Sequence, residues 1–188
     1  YKENPAFTFN SIYEKAKWKI ISIYKTNTLE SQGEFFNYLR GTFETESDFM
    51  NYIYQVRARS IIDCPVDVNE DDTLVTLSTC AYDFDQFRFV VVARRVREGE
   101  TAKVDTSTAK MASNPVYPDC WYEAYGGKKP VLTSFEEALA AKQITWYDNP
   151  HKKKWNASEA QKEATKKAEE QKKKEEEASK AADAFRSE

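Results

Sequence analysis

Large apolar side chains are dense through the first three quarters of the chain and almost vanish beyond His151, which predicts a folded part followed by a solvated tail. Phe7 to Phe9 and then Lys17 to Tyr24 (KWKIISIY) carry aromatic and β-branched residues, the second run with partial alternation, as strands with one buried face do. Between Thr45 and Ile61 the residues Phe49, Met50, Ile53, Tyr54 and Val56 recur at spacings of three and four behind Ser47, a candidate N-cap. That spacing predicts an amphipathic helix of about four turns. The acidic turn Asn69 to Asp72 leads into Thr73–Thr79 (TLVTLST), a strand with Cys80 at its end. Phe87 to Val96 (FRFVVVARRV) is almost continuously apolar, which predicts a strand covered on both faces near its middle and lying beside the first; Arg94, Arg95 and Arg97 read as surface charges near its far end.

The remaining pattern is sparser. Thr101–Ser113 is polar and reads as a loop, PVYPDCWYEAYGG is an aromatic segment fenced by prolines and glycines, and Ser134 to Lys142 reads as a short helix. Three parts follow: residues 1–98, an aromatic-rich extension over 99–150, and a Lys/Glu/Ala-rich tail over 151–188. The tail's residues favour helix, yet it lacks sustained apolar heptads, so a single solvated helix or a fluctuating coil is expected there. Its basic and acidic residues nearly balance, which favours a spacer over a segment drawn to an anionic polymer.

At 188 residues the chain fits one ordinary domain with an appendage. A net charge of -3, with basic residues interleaved among acidic ones, excludes a nucleic-acid partner. Cys64, Cys80 and Cys120 are odd in number and hold no CxxC pair, so neither a disulfide framework nor a zinc site is indicated, and no cofactor or metal is implied. The run from Asp67 has the look of a calcium loop, but its sixth position is Asp72 where a glycine is needed and its twelfth is Ser78 where a glutamate is needed. No run approaches the length of about 18 apolar residues that a spanning helix needs. A chain opening on Tyr1 directly ahead of strand-like sequence leads us to expect a fragment or processed chain whose anchor lies upstream.

A cysteine leaving one strand and an arginine entering the next face each other if the strands pair antiparallel. Cys80 and Arg88 are then half of an acyl-transfer site: a guanidinium favours thiolate over thiol, and its donors can hold the oxygen of a carbonyl under attack. The other half is a histidine acting as general acid and base. Cys64 and Cys120 have no comparable neighbours and read as structural thiols.

Here a resemblance enters. TLSTC, Thr76 to Cys80, matches the TLxTC signature of sortases, and CAYDFDQFRFVV, Cys80 to Val91, resembles the Cys-to-Arg loop of class B members. YKENPAFTF, the helix ending near RARS and the VNEDDTLVTLSTC approach extend the likeness over roughly the first hundred residues. The resemblance implies a mainly β fold with helices: the C-terminal part of a closed sortase β-barrel whose N-terminal strands are not in this sequence, with Trp121, Tyr122, Tyr125, Trp146 and Tyr147 as an aromatic cap. It also implies a transpeptidase at the outer face of the membrane of a Gram-positive bacterium. There Cys80 attacks a threonine carbonyl in the sorting signal of a surface protein, and a peptidoglycan-precursor or pilin amine resolves the thioacyl enzyme. Carried over by position, Cys80 is the nucleophile, Arg88 steadies the oxyanion, Ser78 and Thr79 line the peptide groove, and the Thr45–Ile61 helix forms its wall. The family's catalytic histidine lies upstream of the segment that Tyr1 to Phe9 resembles, and His151, the single histidine, is beyond every predicted strand. An inactive sortase-like binding or scaffold protein, or a fragment inactive alone, is the alternative implied by that departure.

Overall fold

The structure is a computed structural model that describes residues 1–152 and 155; the expectations for the rest of the charged tail lie outside the described residues. The fold is mainly β with short helices. Four strands, β1 (Ala6–Asn10), β2 (Lys15–Thr26), β4 (Leu74–Cys80) and β5 (Arg88–Arg95), form an antiparallel sheet in the order β1-β2-β5-β4. Its edges, β1 and β4, carry no further strand among the described residues. A two-stranded ladder joins β3 (Ile62–Asp63) to β6 (Lys110–Met111), so the predicted loop over 101–113 contains a short strand. That departure is a matter of length, since two residues leave no alternation to read.

The partial alternation of β2 has a structural cause. Its pairing with β5 shifts between Ile20 and Ser22, a bulge that turns two successive residues to one side. Trp18, Ile20 and Ile23 pack with Ala93 and Cys64 on one face, whereas Ile21 and Tyr24 pack with Val90 and Val92 on the other. Ser22, on the helix side next to Ile21, donates its hydroxyl to the Val56 carbonyl at 2.8 Å. β5 is thus covered on both faces, as its continuous apolar run predicts.

Helix α1 (Glu46–Arg59) covers the second face through Phe49, Met50, Tyr52, Ile53 and Val56. Met50, Ile53 and Val56 are fully buried, each stabilising the fold by about 1.5–3 kcal/mol. The N-cap is Thr45, whose hydroxyl accepts from the Asp48 amide at 3.1 Å, and not Ser47. Ser47 is already helical and donates its hydroxyl to Glu136. At the other end Arg57 donates to the carbonyls of Ile21 and Cys64, both at 2.8 Å, tying α1 to β2.

The extension adds to this core. Helix α3 (Phe135–Ala140) begins with a capping box formed by Ser134 and Glu137, and it buries Phe135 and Ala138 against α1 and the sheet. Helix α2 (Asp119–Tyr125) occupies the segment read only as fenced and aromatic; at seven residues between Pro118 and Gly126 it shows too few turns for a helical period to stand out.

Arg94 corrects the reading of the last arginines of β5 as surface charges. It is fully buried: its Nε donates to the Asp67 carbonyl at 2.6 Å, and its guanidinium grips both Glu100 oxygens at 2.7 and 2.8 Å. Arg97 clasps both Asp72 oxygens at 2.8 Å and reaches Asp67 at 2.6 Å, while Arg95 stays half-exposed against Glu14. Asp67 and Asp72, two of the carboxylates that gave the look of a calcium loop, are therefore occupied by guanidinium groups, which satisfy their charge in place of a cation.

Candidate functional site

β4 ends and β5 begins in register, with Cys80 directly opposite Arg88. Because side chains of paired residues lie on the same face, the sulfur and guanidinium meet: Arg88 Nη1 stands 3.6 Å from Cys80 Sγ. Cys80 is exposed, so the pair sits at an open sheet end. The same Arg88 nitrogen donates to the carbonyls of Gln86 and Phe87 at 3.4 and 3.3 Å, which makes the connecting loop part of the site.

That loop is short and held from several sides. The Ala81 amide donates to the Phe87 carbonyl at 2.9 Å, closing it. Gln86 adopts φ 54°, a left-handed conformation that costs a non-glycine residue roughly 1–2 kcal/mol. The end of β2 and the segment after it supply outside support: Thr28 donates to the Gln86 carbonyl and Gln32 to the Asp85 carbonyl, each at 2.9 Å, and Lys25 pairs with Asp83 at 2.6 Å. These supports come from residues 25–32, far away in sequence, and nothing in their spacing marks them.

Alternation along β4 separates the two residues expected beside the nucleophile. Ser78, two positions from Cys80, shares its face, while Thr79 points to the opposite one; both are exposed. On the Cys80 face a groove runs beside β4 between Thr76 and Leu74 on one side and Tyr38, Arg40, Phe43 and Tyr52 on the other. Its far wall is built by α1 and by the loop that precedes it.

The two other thiols and the histidine lie away from this pair. Burial pushes the Cys64 thiol up, and its Sγ is 3.5 Å from the Ile62 carbonyl. Cys120, in α2, is pushed up by burial and then by the Glu123 carboxylate. His151 lies 2.7 Å from Asp71, in the turn ahead of β4. Cys80 is at the other end of that strand, roughly 20 Å along it, so His151 is out of reach of the sulfur. Among the described residues no cluster of His, Cys, Asp and Glu could hold a metal ion. No described helix is long and apolar enough to cross a membrane.

The aromatic residues form two groups where one cap was expected. Trp146 and Tyr147 pack on Phe135 with centroids 6.2 and 5.2 Å away, next to the main core. Trp121 and Tyr125 instead lie against Phe84, in the loop between Cys80 and Arg88, at 6.1 and 6.0 Å.

No family model matches the chain. Over 99 residues it is 32% identical to sortase B of Staphylococcus aureus, covering 52% of this chain and 38% of that protein's length. Among solved structures, a Staphylococcus aureus sortase B–substrate complex is 32% identical over 52% of this chain and 43% of that one, with a TM-score of 0.45. Clostridium perfringens sortase B is 29% identical over 51% of each chain, with a TM-score of 0.44. The chain thus spans well under two thirds of the relatives that it matches.

Proposed function

We propose, for a chain that is class B sortase-like over about half its length, that Cys80 and Arg88 are the nucleophile and oxyanion partner of a cysteine transpeptidase. The observation that carries the reading is the contact itself: a guanidinium nitrogen 3.6 Å from an exposed sulfur, at a strand end where a peptide carbonyl can approach both from solvent. The Cys80 thiolate attacks the threonine carbonyl of a sorting signal, and Arg88 donates to the oxygen as it gains charge. The C–N bond breaks, the departing amine takes a proton, and a thioester remains on Cys80. An amine of a peptidoglycan precursor or pilin then attacks the thioester, loses its proton, and releases the thiolate with a new amide bond formed. The groove lined by Thr76 and Leu74 lies on the face of β4 that Ser78 and Cys80 share, and it is a suitable bed for the signal's extended backbone. A protein with this activity works at the extracellular face of the cell membrane of a Gram-positive bacterium.

Both proton transfers call for a histidine near the sulfur, and His151 does not meet that need. This favours a second reading, in which the chain is a sortase-like binding or scaffold unit that holds a sorting peptide without cleaving it. The test is to incubate the intact protein with an Asn-Pro-x-Thr-x peptide and a triglycine acceptor, and to search Cys80 by mass spectrometry for the acyl adduct. An adduct lost in Cys80→Ala supports transpeptidation. Peptide binding with no adduct and no transfer supports the binding unit and overturns the first reading.

A further inference from the structure

We propose that α2 braces the loop between Cys80 and Arg88, and that Trp121 is a positioning residue for that pair. The inference deepens the transpeptidase reading and rests on its assignment of Cys80 and Arg88.

The brace is a continuous series of contacts. Tyr117 stacks on Trp121 with centroids 4.1 Å apart and planes 7° from parallel. Trp121 and Tyr125 together receive the Phe84 ring, and Phe84 packs at 4.9 Å on Phe87, whose side chain is fully buried. The Phe87 carbonyl, with that of Gln86, accepts from Arg88 Nη1, the atom that faces Cys80 Sγ. Displacing Phe84 therefore displaces the carbonyls that aim the guanidinium. Lys25 closes the other flank, paired to Asp83 and 5.8 Å over the Trp121 ring.

The loop needs such a hold because Gln86 is in a left-handed conformation that persists only when its surroundings enforce it. A helix of seven residues is equally unable to stand alone in water. Here α2 is seated by Lys129, which pairs with Asp119 at 2.7 Å, and by Tyr122, whose hydroxyl accepts from the Tyr117 amide at 3.1 Å. Each element thus supplies the order that the other lacks.

Two measurements on the full chain test this, neither of which uses a sorting peptide. The first is hydrogen exchange of the Ala81 and Phe87 amides, both bonded inside the loop. The second is the ratio of alkylation rates at Cys80 for iodoacetate over iodoacetamide, with the labelled cysteine assigned by peptide mass spectrometry. An anionic reagent is drawn by a guanidinium next to the sulfur, while thiolate fraction cancels from the ratio. Trp121→Ala should speed loop exchange about tenfold and leave Val90 to Val92 exchange unchanged. It should also lower the alkylation ratio about fivefold, the effect of losing one charge at about 4 Å in water. Trp121→Phe, which keeps a ring against Phe84, should restore most of both. Unchanged exchange and an unchanged ratio in Trp121→Ala overturn the brace. If that variant does not fold, Phe84→Leu reads the same contact, and wild-type values there overturn it equally. Should transfer survive Cys80→Ala while the ratio still falls in Trp121→Ala, the brace stands and the reaction assignment fails.

Discussion

Arg94 and Glu100 form a two-point ion pair, at 2.7 and 2.8 Å, across the turn that follows β5, and the guanidinium has no solvent exposure. Lys19 also pairs with Glu100, and Arg97 pairs with Asp67 and Asp72, two further carboxylates within reach of Arg94. The end of the sheet opposite Cys80 is therefore fastened by charge where the site end is fastened by rings.

Removing Arg94 takes from Glu100 its two-point partner and leaves Lys19 as the remaining cationic side chain on that carboxylate. Arg94→Met should lower unfolding free energy by about 3 kcal/mol, measured by urea denaturation. A loss under about 1 kcal/mol would mean that the methionine's packing offsets the missing charge.

The same network makes stability depend on pH. The guanidinium of Arg94 holds the Glu100 carboxyl well below the usual carboxylate range, and Asp67 is lowered too by Arg94 and Arg97, against its partial burial. A carboxylate depressed in the folded state contributes stability that is fully present above its unfolded value, about 4, and is lost as pH falls through the folded one. Thermal midpoints should therefore hold from pH 7 to about 5 and drop steadily below about 4, and Glu100→Gln should flatten that drop.

Arg88→Gln keeps a polar side chain but shortens it and removes the charge that faces Cys80. Peptide transfer should fall about 10²–10³-fold, as when a single oxyanion donor is lost, while the urea midpoint stays near wild type because the guanidinium is at the surface. Undiminished transfer would leave Arg88 as a strand-edge residue only.

Gly33 has φ 119° and lies so close to α2 that an added Cβ would come within 2.6 Å of the Asp119 carboxylate and 2.8 Å of its amide nitrogen. Gly33→Ala should therefore push α2 off its seat, cost about 1–3 kcal/mol, and speed exchange in the 119–125 amides before the sheet amides. Identical exchange in α2 would show that the turn at residue 33 yields instead.

The strands, α1 and the Cys80–Arg88 pairing were legible in the amino-acid order because each rests on local chemistry. Alternation and apolar runs mark β2, β4 and β5, threefold and fourfold spacing marks α1, and a short connection between antiparallel strands sets two residues opposite each other whatever lies around them. Ser78 and Thr79 could be placed at the strand end and, by alternation, on opposite faces; which of those faces carries the groove depends on what covers β4. The cap at Thr45 instead of Ser47 turned on one residue of helix onset, and α2 was too short to declare itself. The burial of Arg94, the two-way split of the aromatic residues and the support of the loop by residues 25–32 were decided only in three dimensions. They rest on contacts such as Arg94 with Asp67, Lys25 with Asp83 and Phe84 with Trp121, 27, 58 and 37 residues apart, whose partners have no fixed offset along the chain. A strand period reports which way a side chain points; whether an arginine there meets water or two carboxylates depends on what the rest of the fold carries to that spot.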